Sequence, residues 1–352
     1  MKDWLESADA IGAVDAIFAG VGLEHGTRST RAGSWKDGAR IKHPKSSAAT
    51  QNSPKTRQAA GIVRVPQWDR WPWLQAGFST RQGGASSAYG DREQNLGWTK
   101  EDDPAIVAEN RRRFVHAVAG RSAPELVTIR QFHSALIRAV EAGDSPLATA
   151  DGKAVLRGDA FMTGRSGILL GIQTADCVPV LLADTRTRAV AAFHAGWRGT
   201  LARIVERGVG TMQLKYGSRP KDLVAAIGPA INACCFAVGE EVRFEFESQF
   251  AYAKKLFSEV YDSDPVKEKY PLLFLTARAP GHSNIGPQIH LDLIEANRRQ
   301  LLDAGLSKSR ITVVSECTAC TRLKNSRRRY FSHRAEDGYT GRMLSVIGTK
   351  RD

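Results

Sequence analysis

Three side chains of the kinds that bind soft metal ions lie at the ends of apolar runs. Cys177 directly precedes the run VPVLLA, His194 ends the run AVAAFH, and His133 lies between two further apolar runs. Cysteine thiolates and histidine imidazoles are the ligands that zinc prefers, and three protein ligands with one open position are typical of a catalytic zinc site. The alternative is that the histidines are only hydrogen-bonded and that the cysteine packs as a small hydrophobic residue.

The residues around these candidates are polar, small or aromatic, as in a site rather than a core. Asp176 directly precedes Cys177, and the segment HAGWRGT places Trp197 and Arg198 shortly after His194. The segment DTRTR between the runs VPVLLA and AVAAF has the composition of a hairpin turn. We therefore expect these two runs to pair as strands, which would bring Cys177 and His194 together.

The elements that must position these residues are predicted from hydrophobic periodicity and turn signals. Helices are predicted over residues 104–119, 200–215, 240–250 and 291–305. Strands are predicted over residues 126–131, 135–140, 159–163, 168–172, 178–183, 189–194, 223–228, 311–315 and 343–348. Strands first cluster and then alternate with helices, so the expected fold class is α/β (or α+β), a single domain with a central mixed β-sheet flanked by helices.

The N-terminal part of the chain differs in composition from the rest. Residues 24–60 are poor in aliphatic side chains and rich in Ser, Thr, Gly, Ala, Lys and Arg, a composition that buries too little apolar surface to fold. We therefore divide the chain into a flexible, basic extension over residues 1–62 and a folded domain over residues 63–352. Without an apolar run of membrane-spanning length or a secretory signal, the protein is expected to be cytoplasmic.

The chain of 352 residues carries a formal net charge of +13. Such a charge raises the hypothesis of nucleic-acid binding. No helix-turn-helix, zinc-finger or RNA-binding signature accompanies it, so a basic extension together with an anion-binding enzyme surface is favoured. The alternative is a basic nucleic-acid-binding protein with a structural zinc, although structural zinc normally has four protein ligands and the candidates number three.

The remaining four of the five cysteines form two groups. Cys317 and Cys320 lie in CTAC, a spacing found in zinc ribbons and redox pairs. Cys234 and Cys235 are adjacent, so no second pair has the spacing of a ribbon. The odd total argues against a disulfide framework and favours metal binding or buried thiols. We interpret Cys317 and Cys320 as buried or spectator thiols.

Longer motifs around these residues resemble the laccase-domain family, first labelled multicopper polyphenol oxidase and now understood as zinc-dependent purine nucleoside phosphorylases. The motifs are TADCVPVLLAD, HAGWRGT, IGPAINACCFAVGEEV, CTACTRL and YFSHRAEDGYTGR. One departure is Ser134, where the family usually has glycine after the first ligand histidine. The resemblance implies that His133, Cys177 and His194 bind zinc. It also implies phosphorolysis of adenosine, inosine, guanosine and methylthioadenosine, and deamination of adenosine.

The implied reaction assigns roles to further residues. Asp176 is expected to move protons, with the orientation of a metal ligand as the alternative role. Arg198 is expected to bind phosphate at the start of a helix predicted to begin at Thr200, where backbone N–H groups favour an anion. Arg81 is also expected to bind substrate, and for both Arg198 and Arg81 the alternative is a structural ion pair. Other expected substrate-binding residues are Asn95, Gln131 and Arg334.

The multicopper label conflicts with the histidine content. Blue-copper and trinuclear copper centres together need many histidines, several in His-x-His pairs, whereas this chain has eight histidines and no two are two residues apart. A single copper ion at the three-ligand site remains the alternative to zinc, with polyphenol oxidation as the alternative activity. The expected partners are purine nucleosides and phosphate, without a membrane, and the expected state is a monomer or homodimer.

Overall fold

The structure is a computed structural model that describes residues 61–120, 124–141, 143–144, 147–260 and 288–351. The extension predicted for residues 1–62 lies outside the described residues up to position 60, and its last residue, Ile62, already belongs to a strand. Within the described part of the chain, no helix is both long enough and apolar enough to cross a membrane.

Fifteen strands and five α-helices are assigned within the described residues. The strands are β1 (Ile62–Val63), β2 (Leu74–Ser79), β3 (Gln82–Ser86), β4 (Glu125–Thr128), β5 (Ile137–Ala139), β6 (Ala160–Thr163), β7 (Ile168–Thr174), β8 (Val178–Asp184), β9 (Val190–Ala195), β10 (Leu223–Ile227), β11 (Ala237–Val238), β12 (Phe257–Val260), β13 (Gln288–Leu291), β14 (Ile311–Val313) and β15 (Met343–Thr349). The helices are α1 (Pro104–Ala119), α2 (Trp197–Leu201), α3 (Ile204–Tyr216), α4 (Glu240–Gln249) and α5 (Leu293–Asp303).

The mixed α/β class expected from the sequence is confirmed, but the strands do not form one central sheet. Among the described residues a first mixed sheet has the order β1-β2-β15-β7-β4, and a second has the order β14-β10-β8-β9-β6-β5. A small antiparallel sheet has the order β11-β13-β12. Alternation along a strand indicates which side is buried, but it does not select the partner strand.

Alternation along β9 separates two cores. Ala191 and Phe193 face one core, which is completed by residues of α3 and α5. Val190 and Ala192 face the other core, which lies between the two mixed sheets. The outer face of the first sheet packs against α1 through residues such as Phe114. The result is a layered arrangement of α1, the first sheet, the second sheet, and α3 with α5.

The helix predicted over residues 200–215 is two helices instead. The first, α2, already begins at Trp197, and Arg203 separates it from α3 with a left-handed φ of 59°. The Thr200 N–H donates to Gly196 O at 2.8 Å, inside the first turn. The predicted helix start at Thr200 is therefore wrong by three residues, and the Thr200 N–H itself is not free to bind phosphate.

Candidate metal centre and cavity

The structure brings the three predicted metal ligands together. The ligand atoms of His133, Cys177 and His194 all lie within 4.8 Å of one another, and the two imidazole centroids are 4.9 Å apart. The predicted hairpin accounts for two of them, since β8 and β9 pair antiparallel with Pro179 opposite His194. Cys177 comes directly before β8 and thus lies at the same end of the hairpin.

Gly196 makes room for this cluster. A Cβ on Gly196 would lie 3.2 Å from Cys177 Sγ and 3.2 Å from His133 Cδ2. Since that is closer than most side chains approach, a larger residue would require both ligand side chains to shift by a few tenths of an ångström. The small-residue turn after β9 therefore has a steric reason.

Asp159 positions the two histidines, and sequence reasoning missed it. Its buried carboxylate accepts hydrogen bonds from the backbone N–H groups of His133 at 3.0 Å and Ser134 at 2.7 Å, and from Ser134 Oγ at 2.6 Å. These contacts hold the loop in which His133 adopts a φ of 62°. The available sequence signal was a charged residue at the start of the apolar strand AFMT.

The same carboxylate fixes the ring of His194. His194 Nδ1 donates to Asp159 Oδ1 at 2.8 Å, which leaves Nε2 as the atom available to a metal. Burial opposes the charge on Asp159, but hydrogen bonds from His194 and Ser134 outweigh it and lower the carboxyl pKa to about 2. Burial likewise opposes charge on His194, yet Cys177 and Asp159 raise its pKa to about 9.

Cys177 is held as a thiolate in this setting. Burial raises its pKa, but the charge of His194 and hydrogen bonds from His133 and His194 lower the pKa of the thiol to about 6. A thiolate rather than a thiol is the form that binds metal. Two imidazoles and one thiolate therefore converge on one point, as three protein ligands of a metal with an open position do.

The three ligands lie on the wall of a cavity of about 940 Å³, within the size range of small-molecule sites. Asp176, Gln131, Arg198 and Arg334, all predicted to contribute to the site, also line this cavity. Further cationic lining residues that the sequence reasoning did not name are Arg130, Lys153 and Arg342. Aromatic side chains on the wall are Trp98, Trp197 and Phe236.

The carboxylate of Asp176 links its own segment to the segments that contain Thr318 and Arg334. Asp176 has a φ of 96°, and its carboxylate accepts from Thr318 Oγ1 at 2.6 Å and from the Arg334 N–H at 2.7 Å. A carboxylate has about four acceptor positions, and these contacts fill two of them. The remaining acceptor positions leave Asp176 able to receive a hydrogen bond or a proton from a bound molecule.

Two arginines of the cavity rest on aromatic rings. The Arg198 guanidinium lies over Trp197, 4.4 Å from the ring centroid. The Arg334 guanidinium lies 5.5 Å from the centroid of Phe236 and donates to Ala237 O at 2.8 Å. Stacking of this kind fixes the plane of a guanidinium and leaves edge N–H groups for an anion.

Comparisons with known proteins show which family this chain belongs to. A family model described as multi-copper polyphenol oxidoreductase laccase matches residues 75–350. This chain belongs to that family. The purine nucleoside phosphorylase YlmD of Geobacillus stearothermophilus is 34% identical over 278 residues, which cover 79% of this chain and 90% of the relative.

Two further proteins are similar to this chain. A protein of an unknown prokaryotic organism, named adenosine deaminase RL5, is 31% identical over 274 residues, or 78% of this chain and 93% of the relative. The crystal structure of the Bacillus licheniformis hypothetical protein YfiH matches with a TM-score of 0.67 and 30% identity, covering 83% of this chain and 97% of that chain.

The copper in the family's description is not matched by a histidine-rich centre. Within the described residues, the groups able to hold a metal are the His133–Cys177–His194 site and a cluster of four cysteines. Neither group contains more than two histidines. The described part of this laccase-family chain therefore offers no group of histidines that could hold a trinuclear copper centre.

Two predicted substrate-binding residues do not line the cavity. Arg81 is buried and pairs with Glu93 at 2.8 Å and Glu336 at 2.7 Å, while its guanidinium lies 4.7 Å from the centroid of Phe331. Asn95 is fully buried and donates to Asp102 Oδ2 at 2.8 Å. Arg81 thus has the structural ion pairs that were its alternative role, and Asn95 is bonded inside the protein, so other residues form the polar wall of the cavity.

Gln131 lines the cavity, but its side-chain amide is hydrogen-bonded to the backbone. Its Nε2 donates to Gln173 O at 2.7 Å, and its Oε1 accepts from the Gln173 N–H at 2.8 Å. These two bonds continue the pairing of β4 and β7 beyond the end of β4. Contact with a substrate would use only the remaining donor and acceptor positions of the amide.

Proposed function

We propose that this protein is a zinc-dependent purine nucleoside phosphorylase that cleaves adenosine, inosine, guanosine and methylthioadenosine with phosphate and also deaminates adenosine. The observation that carries the proposal is the convergence of His133, Cys177 and His194 on a cavity whose wall combines cationic and aromatic side chains. Relatives named purine nucleoside phosphorylase and adenosine deaminase support the same two activities.

The donor set fits zinc. One thiolate and two imidazoles are ligands that zinc prefers, and the Asp159–His194 pair leaves Nε2 free in the manner common to metal-binding histidines. Zinc would supply a Lewis acid and a bound water of lowered pKa at the open position. Copper is the alternative ion, because histidine and cysteine ligands also bind it.

The cavity wall suits an anionic co-substrate and a flat base. Cationic side chains of Arg130, Lys153, Arg198, Arg334 and Arg342 face it, whereas Asp176 is its one acidic side chain within the described residues. Phosphate is drawn into a cleft of positive potential and can be gripped by guanidinium forks. The indole and phenyl rings on the wall offer stacking surfaces for a purine.

Each chemical step assigns a task to these side chains. In phosphorolysis, a phosphate oxygen forms a bond to the anomeric carbon while the bond from that carbon to the purine nitrogen breaks. Arg198 and Arg334 are proposed to hold the phosphate on one side of the sugar. Asp176 is proposed to exchange a proton with the purine, which gathers negative charge as it departs.

Product analysis tests this proposal. Purified protein is incubated with each of the four nucleosides, with and without phosphate, and the free bases, ribose 1-phosphate and inosine are separated and quantified. Phosphate-dependent release of base with an equal amount of the sugar phosphate is the expected result, with inosine also formed from adenosine in the absence of phosphate. Base release that does not require phosphate would point to hydrolysis and contradict the proposal.

A further inference from the structure

Four cysteines outside the candidate active site meet in the structure. The Sγ atoms of Cys234, Cys235, Cys317 and Cys320 all lie within 4.8 Å of one another. The sequence-based interpretation of Cys317 and Cys320 as buried or spectator thiols did not include this meeting with Cys234 and Cys235. The two groups are 82 or more residues apart in the chain, so no local spacing pattern reveals their meeting.

Parallel strand pairing brings the two groups together. β10 and β14 are parallel neighbours in the second sheet, and each is followed by a segment that carries two of the cysteines. The carboxyl ends of parallel neighbours meet at one edge of a sheet. Ala230 and Cys317 form an isolated parallel bridge just beyond that edge, and the Thr318 N–H donates to Ala230 O at 3.0 Å.

The sulfur positions suit a tetrahedral metal ion. Zn–S bonds of about 2.3 Å in a tetrahedron place neighbouring sulfurs about 3.8 Å apart. Cys234 Sγ lies 3.6 Å from both Cys235 Sγ and Cys320 Sγ. That separation is much longer than a disulfide bond of about 2.05 Å. These two separations match the spacing of metal ligands rather than of a bonded pair, and every other pair of the four sulfurs lies within 4.8 Å.

Backbone donors point at the most buried of the four sulfurs. The Asn232 N–H donates to Cys317 Sγ at 3.4 Å, and the N–H groups of Ala319 and Cys320 are directed at the same atom. N–H groups aimed at one sulfur stabilise a negatively charged thiolate, the form that binds a metal. The CTAC turn thus directs backbone N–H groups at Cys317 Sγ.

A positive charge lies beside the four-cysteine cluster, and two of its cysteines are reached by solvent. The Arg328 guanidinium donates to Ala319 O and, at 3.0 Å, to Ala335 O, which places a cation beside the CTAC turn. Cys234 and Cys320 are exposed, so an ion can reach the site from solvent. Cys317 forms a small buried apolar group with Ile231 and Ala319, and Cys235 packs against it.

We propose that Cys234, Cys235, Cys317 and Cys320 form a second metal site, a closed four-thiolate site that binds a structural zinc ion. This site goes beyond the proposed catalytic function. Four protein ligands leave no open position, so the ion acts as a cross-link between the segment after β10 and the segment after β14. Ile231 and Phe236 on the first segment line the cavity, and Thr318 on the second holds Asp176. The ion therefore stabilises the wall of the cavity to which these two segments contribute.

Zinc stoichiometry of single-cysteine variants tests the proposal. The full chain is stripped of metal, reloaded with Zn²⁺ alone, desalted and measured by elemental analysis. The parent should hold about two zinc ions per chain, and Cys320→Ser should hold about one. Cys177→Ser, which alters the His/Cys site, should also hold about one, and its zinc should show only sulfur neighbours by X-ray absorption. Chelator release of zinc from Cys177→Ser should make four further thiols reactive.

Three results would contradict a zinc site at the four cysteines. Zinc bound by Cys177→Ser that shows nitrogen neighbours, or an unchanged zinc content in Cys320→Ser and in the second exposed variant Cys234→Ser, overturns the proposal. Two thiols missing in the denatured, unreduced parent would reveal a Cys234–Cys320 disulfide instead and also overturn it. The Cys177→Ser measurements leave all four cysteines intact, so they decide the matter even if the other variants fold poorly. None of these readouts depends on turnover of a nucleoside.

Discussion

Replacing Asp159 by asparagine changes one acceptor that serves both histidines of the metal centre. The native carboxylate uses Oδ1 for His194 Nδ1 and the His133 N–H, and Oδ2 for the N–H and Oγ of Ser134. Asparagine keeps one acceptor oxygen and places an NH2 group at the other position. If the NH2 group faces His194, that ring must accept at Nδ1 and carry its proton on Nε2, the atom proposed to bind zinc.

The expected loss of zinc affinity follows from that tautomer exchange. Removing a partner that orients a metal-binding histidine typically weakens metal binding about 10- to 100-fold. If the NH2 group faces Ser134 instead, two donors lose their acceptor at a cost of about 1–3 kcal/mol each. Competition with a chromophoric chelator measures the zinc dissociation constant, in a Cys320→Ser background so that the His/Cys site is the one reported.

Asp184→Asn is the matched control. Asp184 is equally buried and accepts from the N–H groups of Arg186 at 2.8 Å and Thr187 at 3.0 Å, at the far end of the β8–β9 hairpin from Cys177. This control should lower the free energy of unfolding but leave zinc affinity unchanged. Zinc binding by Asp159→Asn that is as tight as in the control would refute the assigned role of Asp159.

Three further outcomes are expected. Arg198→Ala should raise KM for phosphate about 30- to 150-fold, through loss of about 2–3 kcal/mol, while KM for nucleoside changes little in steady-state assays. Arg81→Met should leave Glu93 and Glu336 less compensated and lower the free energy of unfolding in urea by about 3–5 kcal/mol, without altering KM. Folding lowers the pKa of Asp159 from 3.8 to about 2. Its contribution to the free energy of unfolding is therefore fully present above pH 3.8 and is lost as the pH falls through 2. Metal-free parent should therefore lose about 2 kcal/mol more than Asp159→Asn between about pH 5 and pH 2 in denaturant titrations.

Elements with strong local signals were predicted well. α1 has the predicted bounds, because Pro104 at its first turn and the Asp103 side chain, which accepts from the Ala105 N–H at 2.8 Å, mark its start. The continuous apolar runs that became β8 and β9 and the turn between them were also predicted. That hairpin alone was enough to bring Cys177 to His194.

Features set by long-range contacts were not predictable from local patterns. β2 pairs with β15 within the first sheet, but Gln75 and Gly77 interrupt its apolar run. The left-handed turn at Arg203 that separates α2 from α3 lacks the glycine that would mark it. Asp159 acquires its role only when its strand is placed beside β9, and the four-cysteine cluster arises from the parallel pairing of β10 and β14.

Some expectations remain predictions from the sequence. The activity assigned to Asp176 rests on its place in the cavity and its unfilled acceptor positions, and a pH profile of Asp176→Asn would separate proton transfer from positioning. A cytoplasmic location and a monomeric or homodimeric state likewise stay predictions. The same holds for the basic extension predicted over residues 1–62, of which residues 1–60 lie outside the described residues.

Turnover by Cys177→Ser is the most direct measurement of the central claim. A serine hydroxyl stays protonated at neutral pH and binds zinc poorly, so the His/Cys site should lose its ion while circular dichroism still shows the parent fold. The parent is expected to convert adenosine and phosphate to adenine and ribose 1-phosphate, and the variant to lose both zinc at this site and that conversion together. Full phosphate-dependent adenine release by Cys177→Ser, measured alongside its zinc content, would contradict the assignment of the His133–Cys177–His194 site as the catalytic centre.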